Sequence, residues 1–454
     1  MTADLRGFLE LLEQRRKSDL LRVEHEVSPR FETCAIVARL EEKRRSPLVY
    51  FEKVAGTRYP LVTNVCGSQG RVALALDCGL REAVERYDAA VDHLVAPNIV
   101  EDAPVHENVD TGEAVDLSRF PALVYHEHDA DAPYVTCAIV CAADPDTGVT
   151  NLSFHRLMVI DRNHTGIFIE KGKHLDGIFQ KYVAAKRDMP IGVFIGAHPS
   201  WMLGALYSGS ADVAEYDVIG GLLGEPLELV RGKTQDVLVP ARAEIVLEGV
   251  VKHDVTTPEG PFGEFTGYGT GATTTPVFEV TAICERNDAI FQDVVSGHME
   301  HLVLPMLAIE SRAKRDAMAA SENVVGVALP APFTLVVAMD KADDDEPQRV
   351  MDALLNADIY RKHVIVVDAT VDPSDLRQVL GAMALSTQAN VDVHLFEDTL
   401  GTPLDPSCTN AEGRVTKMGI DATRRIVGAR EVTKNTVPQD VWDRVDVNAL
   451  LGRK

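Results

Sequence analysis

From about residue 107 to residue 300 the sequence is mostly a succession of short β-branched runs broken by turn chemistry, which makes sheet the dominant element of the middle of the chain. "YVTCAIVCAADPDTGVTNLSFHRLMVI" (134–160) has the pattern of a hairpin, with "DPDTG" supplying the turn. "DVLVP", "AEIVLEGVVKHDV" and "TPVFEVTAICERNDAIFQDVV" continue in the same manner. Between them lies an α/β insertion, in which "HLDGIFQKYVAAK" reads helical and "IGVFIGA" reads as a buried strand. A mostly antiparallel barrel carrying this insertion is the expectation for 106–300.

The flanks differ. Residues 1–105 alternate helical stretches ("LRGFLELLEQRR", "ETCAIVARLEEKRR") with extended ones ("LLRVEHEV", "PLVYFEKV", "YPLVTNV"), as in a small α/β unit. "HLVLPMLAIESRAKRDAMAAS" predicts a linker helix over 301–322, with Pro305 in its first turn. From 323 to 454 strands and helices alternate as in a βαβ domain, and the last thirty or so residues read as a polar, extended tail. The fold class is thus mixed α/β.

The 454 residues carry a net charge of −24, which argues against a general nucleic-acid or anionic-membrane binder but not against a small anionic substrate. Seven scattered cysteines form no C-x-x-C pair, so neither a disulfide framework nor a zinc ribbon is supported. The N-terminus does not read as a signal peptide, and no apolar run is long enough to span a bilayer. A cytoplasmic protein is expected.

"TPEGPFGEFTGY" (257–268) sets Glu259 and Glu264 five apart on a stretch whose prolines and glycines exclude helix and deny it a regular ladder. Read alone, such a pair is a solvated loop. Upstream, Asn151, His174 and Glu215 make a hard-to-borderline ligand set suited to manganese or magnesium. Singly they read as a turn residue, a helix cap and a surface charge. Arg156, bridging two carboxylates, would keep one ionised and could also hold a substrate carboxylate. His126 and His128 alternate on one face of a strand but lack a third ligand nearby, and His298 and His301 read as a helix entry. "GSQG" and "GTGAT" are too short and wrongly placed for a Walker or dinucleotide loop.

"DPDTGVTNLSFHR", "EKGKH", "EYDVIGGLLGEPLELV", "VPARAEIVLEG", "PEGPFGEFTGY" and "TKMGIDAT" together resemble the UbiD family of reversible, prenylated-FMN-dependent decarboxylases, most densely from about 120 to 300. The resemblance implies a split-barrel flavin domain and a C-terminal oligomerisation domain, in a homodimer or homohexamer. It places a catalytic triad on Arg156, Glu259 and Glu264, with Glu264 as proton donor and acceptor. It puts manganese or magnesium on Asn151, His174 and Glu215, potassium nearby, and further cofactor contacts on Ser153, Phe154, His155 and Lys417. It also implies a flavin prenyltransferase as cofactor supplier, with a small unsaturated or (hetero)aromatic acid and carbon dioxide as reaction partners. Phe154, His155, Phe265, His298, His301 and the stretch 385–402 are candidates for the substrate pocket. The alternatives are an FMN-dependent reductase or oxidase on a split barrel, and a non-catalytic flavin-binding homologue.

Overall fold

The computed structural model describes residues 3–408, 413–428 and 435–450. Its centre is a nine-stranded sheet that curls on itself. Along the main path the order is Tyr134–Val135, Leu157–Val159, His164–Ile167, Thr273–Glu285, Ile245–Glu259, Met189–Ile195, Ile139–Ala143 and Thr150–Phe154, and Asn108–Thr111 also pairs with Thr273–Glu285. All pairings are antiparallel. Thr150–Phe154 ends one edge, yet the chain enters Leu157–Val159, next to the other edge, three residues later. Three residues span at most about 10 Å, so the two ends of the sheet must meet there. Arg156 lies at that seam.

The expected hairpin is Ile139–Ala143 against Thr150–Phe154. The strand expected inside an insertion, Met189–Ile195, is instead an interior strand of the main sheet, paired on both sides. The segment around Glu259 also departs from expectation, because the ladder continues through Thr257, Pro258 and Glu259 opposite Thr275, Thr274 and Thr273. The Met189–Ile195 partner stops at Val251, so this part of the strand is paired on one side only, where a proline is tolerated.

The first hundred residues are not closed off from the centre. Their parallel and antiparallel strands (Leu20–Val23, Leu48–Phe51, Leu61–Thr63) take Phe291–Gln292 as a fourth. Leu5, Phe8, Leu48 and Tyr87 share one core with Phe194, Trp201, Ile219 and Leu307. The expected linker helix is two helices, Met299–Val303 and Met306–Ala320. Pro305, which has no N–H for the helical ladder, caps the second.

In the C-terminal part the order is Val324–Ala331, Thr334–Met339, His363–Asp368, Arg414–Ala422, Val393–Leu400. Along Thr334–Met339, Leu335, Val337 and Met339 face one core with the helix Glu346–Ala357. Val336 and Ala338 face another with Val379 of the helix Leu376–Ser386. This period-two partition is what a sheet covered on both faces requires. Of the expected extended tail, residues 435–450 carry two single-turn helices, Gln439–Trp442 and Val447–Leu450, while 429–434 and 451–454 lie outside the described residues.

Candidate active site

A cavity of about 2220 Å³ opens between the curled sheet, the N-terminal segment and the C-terminal part. Ligand pockets are commonly about 300–1,000 Å³, so this one has room for a cofactor and a substrate together. Arg156, Glu264, Phe265 and His301 line it, as do Asn151, Ser153, Phe154, His155 and His174. Glu259 and Glu215 are buried and reach the wall residues from behind.

Arg156 is the hub. Its Nε and Nη2 donate to the two oxygens of Glu259, both at 2.9 Å, and its Nη1 donates to Glu264 Oε1. The guanidinium lies between the rings of Phe168 and Phe262, at 4.2 and 4.7 Å from their centroids. Strand and seam fix Arg156 and Glu259. Glu264 sits on a tight turn between Phe262–Gly263 and Gly269–Thr270, closed by bonds from Glu264 N to Tyr268 O and from Gly267 N to Glu264 O. Gly267 holds φ at 78°, a left-handed conformation that suits glycine. Burial raises the Glu264 pKa above the ordinary glutamate value; Arg156 opposes the shift and the Glu259 charge adds to it.

A second cluster adjoins the cavity. Glu215, the first residue of the helix Glu215–Leu223, accepts from Asn151 Nδ2 at 2.9 Å and from Leu152 N at 2.8 Å. His174, the first residue of the helix His174–Ala184, has Nδ1 3.9 Å from Glu215 Oε1. Glu215 is 1% exposed, and among the described residues its ion-pair partner is this histidine, with no lysine or arginine in reach. A buried carboxylate so placed, beside an amide and an imidazole, fits a divalent cation with hard-to-borderline preferences. His155 is buried, with Nδ1 donating to Phe168 O and Nε2 2.8 Å from Ser153 Oγ. Burial lowers its pKa to about 4, so it is a neutral wall residue.

Two expected residues fall elsewhere. Lys417 is buried in the strand Arg414–Ala422 and does not line the cavity; its Nζ donates to Leu355 O and Asp358 O, at 2.6 and 2.8 Å. The end of the helix Glu346–Ala357 has unpaired carbonyls, and they take this ammonium. His298 faces away from the cavity and pairs with Glu41 at 2.8 Å. Of the stretch 385–402, Thr402 alone lines the cavity.

Other wall residues escaped sequence reasoning. Phe265 meets Phe333 edge-on at 5.5 Å, and Phe333 stacks on Tyr360 at 6.4 Å, so an aromatic row crosses from the Glu264 turn to the C-terminal part. Tyr360 Oη donates to Glu170 at 2.5 Å, and Lys173 Nζ lies over its ring. Phe333 and Tyr360 belong to a domain whose sequence shows only βαβ alternation, and no local motif marks them.

A wall of this kind suits a lyase that moves a proton beside an anionic substrate. The comparisons narrow the class. Residues 10–91, 98–299 and 306–422 match the N-terminal, Rift-related and C-terminal domains of 3-octaprenyl-4-hydroxybenzoate carboxy-lyase, the UbiD domains. The chain is 30% identical to the anhydromevalonate phosphate decarboxylase of Methanothermobacter thermautotrophicus, over 94% of this chain and 98% of that one. It is 33% identical to the phenolic acid decarboxylase of Sedimentibacter hydroxybenzoicus, over 92% and 91%. The structure of the UbiD-class enzyme HmfF from Pelotomaculum thermopropionicum in complex with FMN superposes with a TM-score of 0.90 at 34% identity, covering 98% of this chain and 99% of that one. The chain belongs to the UbiD family and is a carboxy-lyase. No helix among the described residues is long and apolar enough to cross a membrane.

Proposed function

We propose that the protein catalyses reversible, non-oxidative decarboxylation of an unsaturated, aromatic or heteroaromatic carboxylic acid with prenylated FMN. The observation that carries this reading is Arg156 held between Glu259 and Glu264 at the wall of a cavity large enough for flavin and substrate. An evolved dimeric form of HmfF, 33% identical to this chain, was solved with prFMN, which supports the choice of cofactor.

When bound, prenylated FMN would supply the electron sink that departure of carbon dioxide from an sp² carbon needs. The side chains do the rest. Arg156 has five N–H groups, of which Glu259 and Glu264 take three, leaving two for a substrate carboxylate. Glu264, whose pKa burial raises against the pull of Arg156, delivers its proton to the substrate carbon and takes it back in the carboxylation direction. Glu259 holds Arg156 in plane so that the guanidinium does not draw Glu264 into permanent ionisation. Asn151, His174 and Glu215 would hold manganese or magnesium, Ser153, Phe154 and His155 would contact the flavin, and potassium would be a further cation of the site.

His301 bears on the substrate. Its Nδ1 accepts from Gly297 N at 3.3 Å, which leaves the proton on Nε2, and burial lowers its pKa to about 4. A neutral N–H donor at the cavity wall favours a ring heteroatom or hydroxyl on the acid over a plain cinnamate. Leu380 and Leu385, on the exposed side of the helix Leu376–Ser386, supply apolar surface for a homodimer or homohexamer contact.

The test is co-expression with a flavin prenyltransferase, anaerobic purification, and the absorbance spectrum and intact mass of the released cofactor. Prenylated FMN with stoichiometric manganese, and carbon dioxide release from aromatic acids that disappears in Glu264→Gln, is the expected outcome. Plain FMN together with NAD(P)H oxidation untouched by Glu264→Gln would overturn the proposal in favour of a reductase.

A further inference from the structure

Three segments remote in sequence bring Cys34, His126 and His298 together outside the cavity. Cys34 is in the first turn of the helix Glu32–Glu42, His126 follows Tyr125 in a loop, and His298 immediately precedes the helix Met299–Val303. Cys34 Sγ lies 3.4 Å from His298 Nε2 and 4.0 Å from His126 Nε2, and the three donor atoms are within 4.8 Å of one another. Tetrahedral zinc with ordinary bond lengths sets a nitrogen and a sulfur ligand about 3.6 Å apart.

The far nitrogens are engaged as well. His126 Nδ1 lies 3.0 Å from Asp129 Oδ2, and His298 Nδ1 lies 2.8 Å from Glu41 Oε2. A carboxylate on Nδ1 fixes the proton there and turns the Nε2 lone pair toward the sulfur, the arrangement that orients metal-bound histidines. Hydrogen bonding alone leaves this trio short, since the Cys34 thiol has one proton for two facing lone pairs. A cation satisfies all three donors. Cys34 is 5% exposed while both histidines are partly open, so a fourth position faces solvent.

We propose that Cys34, His126 and His298 form a binding site for a borderline divalent transition-metal ion, zinc first, separate from the Asn151, His174 and Glu215 cluster. The ion braces the turn that carries Glu264. Asp129, which holds His126 with one oxygen, accepts from Gly263 N with the other at 2.8 Å. Gly297, next to His298, comes close enough to the turn that a Cβ on it would fall 3.3 Å from the Glu264 carbonyl oxygen and 3.9 Å from His126 Nε2.

Cobalt(II) titration of the metal-stripped, full-length protein tests this without reference to flavin chemistry. A thiolate-to-cobalt charge-transfer band that saturates at one equivalent and is displaced by zinc is expected. Cys34→Ser should remove the band, and His298→Gln should weaken cobalt binding by at least about tenfold. Glu215→Gln, which alters an oxygen and nitrogen cluster, should leave the band in place. A folded wild-type protein that binds cobalt without the band, or a Cys34→Ser protein that keeps it, would overturn the proposal. If Cys34→Ser does not fold, unchanged cobalt affinity in His298→Gln would do the same. Amide exchange at Gly263 and Glu264 should slow when zinc is added, and unchanged exchange would remove the brace.

Discussion

At Arg156 one guanidinium serves two carboxylates unequally. Glu259 takes a two-pronged grip and is fully buried, whereas Glu264 takes one N–H and borders the cavity. Replacing Glu259 by Gln removes a charge that raises the Glu264 pKa and frees Arg156 to lower it. In the proposed mechanism Glu264 acts as the acid only when protonated, so the high-pH limb of kcat for decarboxylation should move to lower pH in Glu259→Gln. A limb that stays put would separate Glu259 from proton control. Glu264→Gln should cost about 10²-fold or more in turnover, the usual span for a lost general acid, while flavin binding survives. Arg156→Lys should also fail, since a point-charge ammonium cannot grip both carboxylates in plane. Read alone, the glutamate pair passes for a solvated loop; these three residues become readable in the chain through the resemblance of the motifs that carry them to the UbiD family. Lys417 shows the limit. A lysine in a recognisable motif can still be drawn to nearby helix-end carbonyls, and only the fold says how close they are.

The helix Glu215–Leu223 carries Glu215, of the proposed cation cluster, as its first residue and two glycines in its body. Gly220 and Gly221 let it approach the backbone of residues 90–95, where a Cβ on Gly220 would fall 2.3 Å from Val95 O and one on Gly221 2.6 Å from Ala90 O. Gly220→Ala should therefore destabilise the protein by about 1–3 kcal/mol in chemical denaturation and weaken manganese binding by tilting Glu215, although it touches no ligand. Unchanged manganese affinity would mean that the helix start is held independently of its body. Helix and strand identities were largely legible from periodicity, since the 139–154 hairpin and the 174–184 helix lie where turn chemistry and apolar spacing put them. The place of Met189–Ile195 in the main sheet was not. A buried strand looks alike in sequence whichever sheet holds it, and its partners lie some fifty residues away on either side.

Across the whole molecule, Glu300 ties the helix Met299–Val303 to the N-terminal loop by accepting from Cys66 N at 2.6 Å, with Arg71 nearby. Burial pushes its carboxyl up to about 8. Its proton is held in the folded protein and lost from the unfolded chain above an ordinary value of 4.5, so this group's contribution to stability erodes as pH rises from 4.5 through about 8. Melting temperature should fall over that window, and Glu300→Gln should flatten the fall; equal slopes would clear Glu300 of the effect. The seam at residues 154–157 has a kinetic consequence. Arg156 meets Glu259 and Glu264, more than a hundred positions downstream, after the sheet has closed end to end. Contacts so distant along the chain form slowly. During refolding, secondary structure should therefore recover before the capacity to bind flavin does, and a newly made polypeptide spends an interval as a nearly complete shell that cannot yet turn over its substrate.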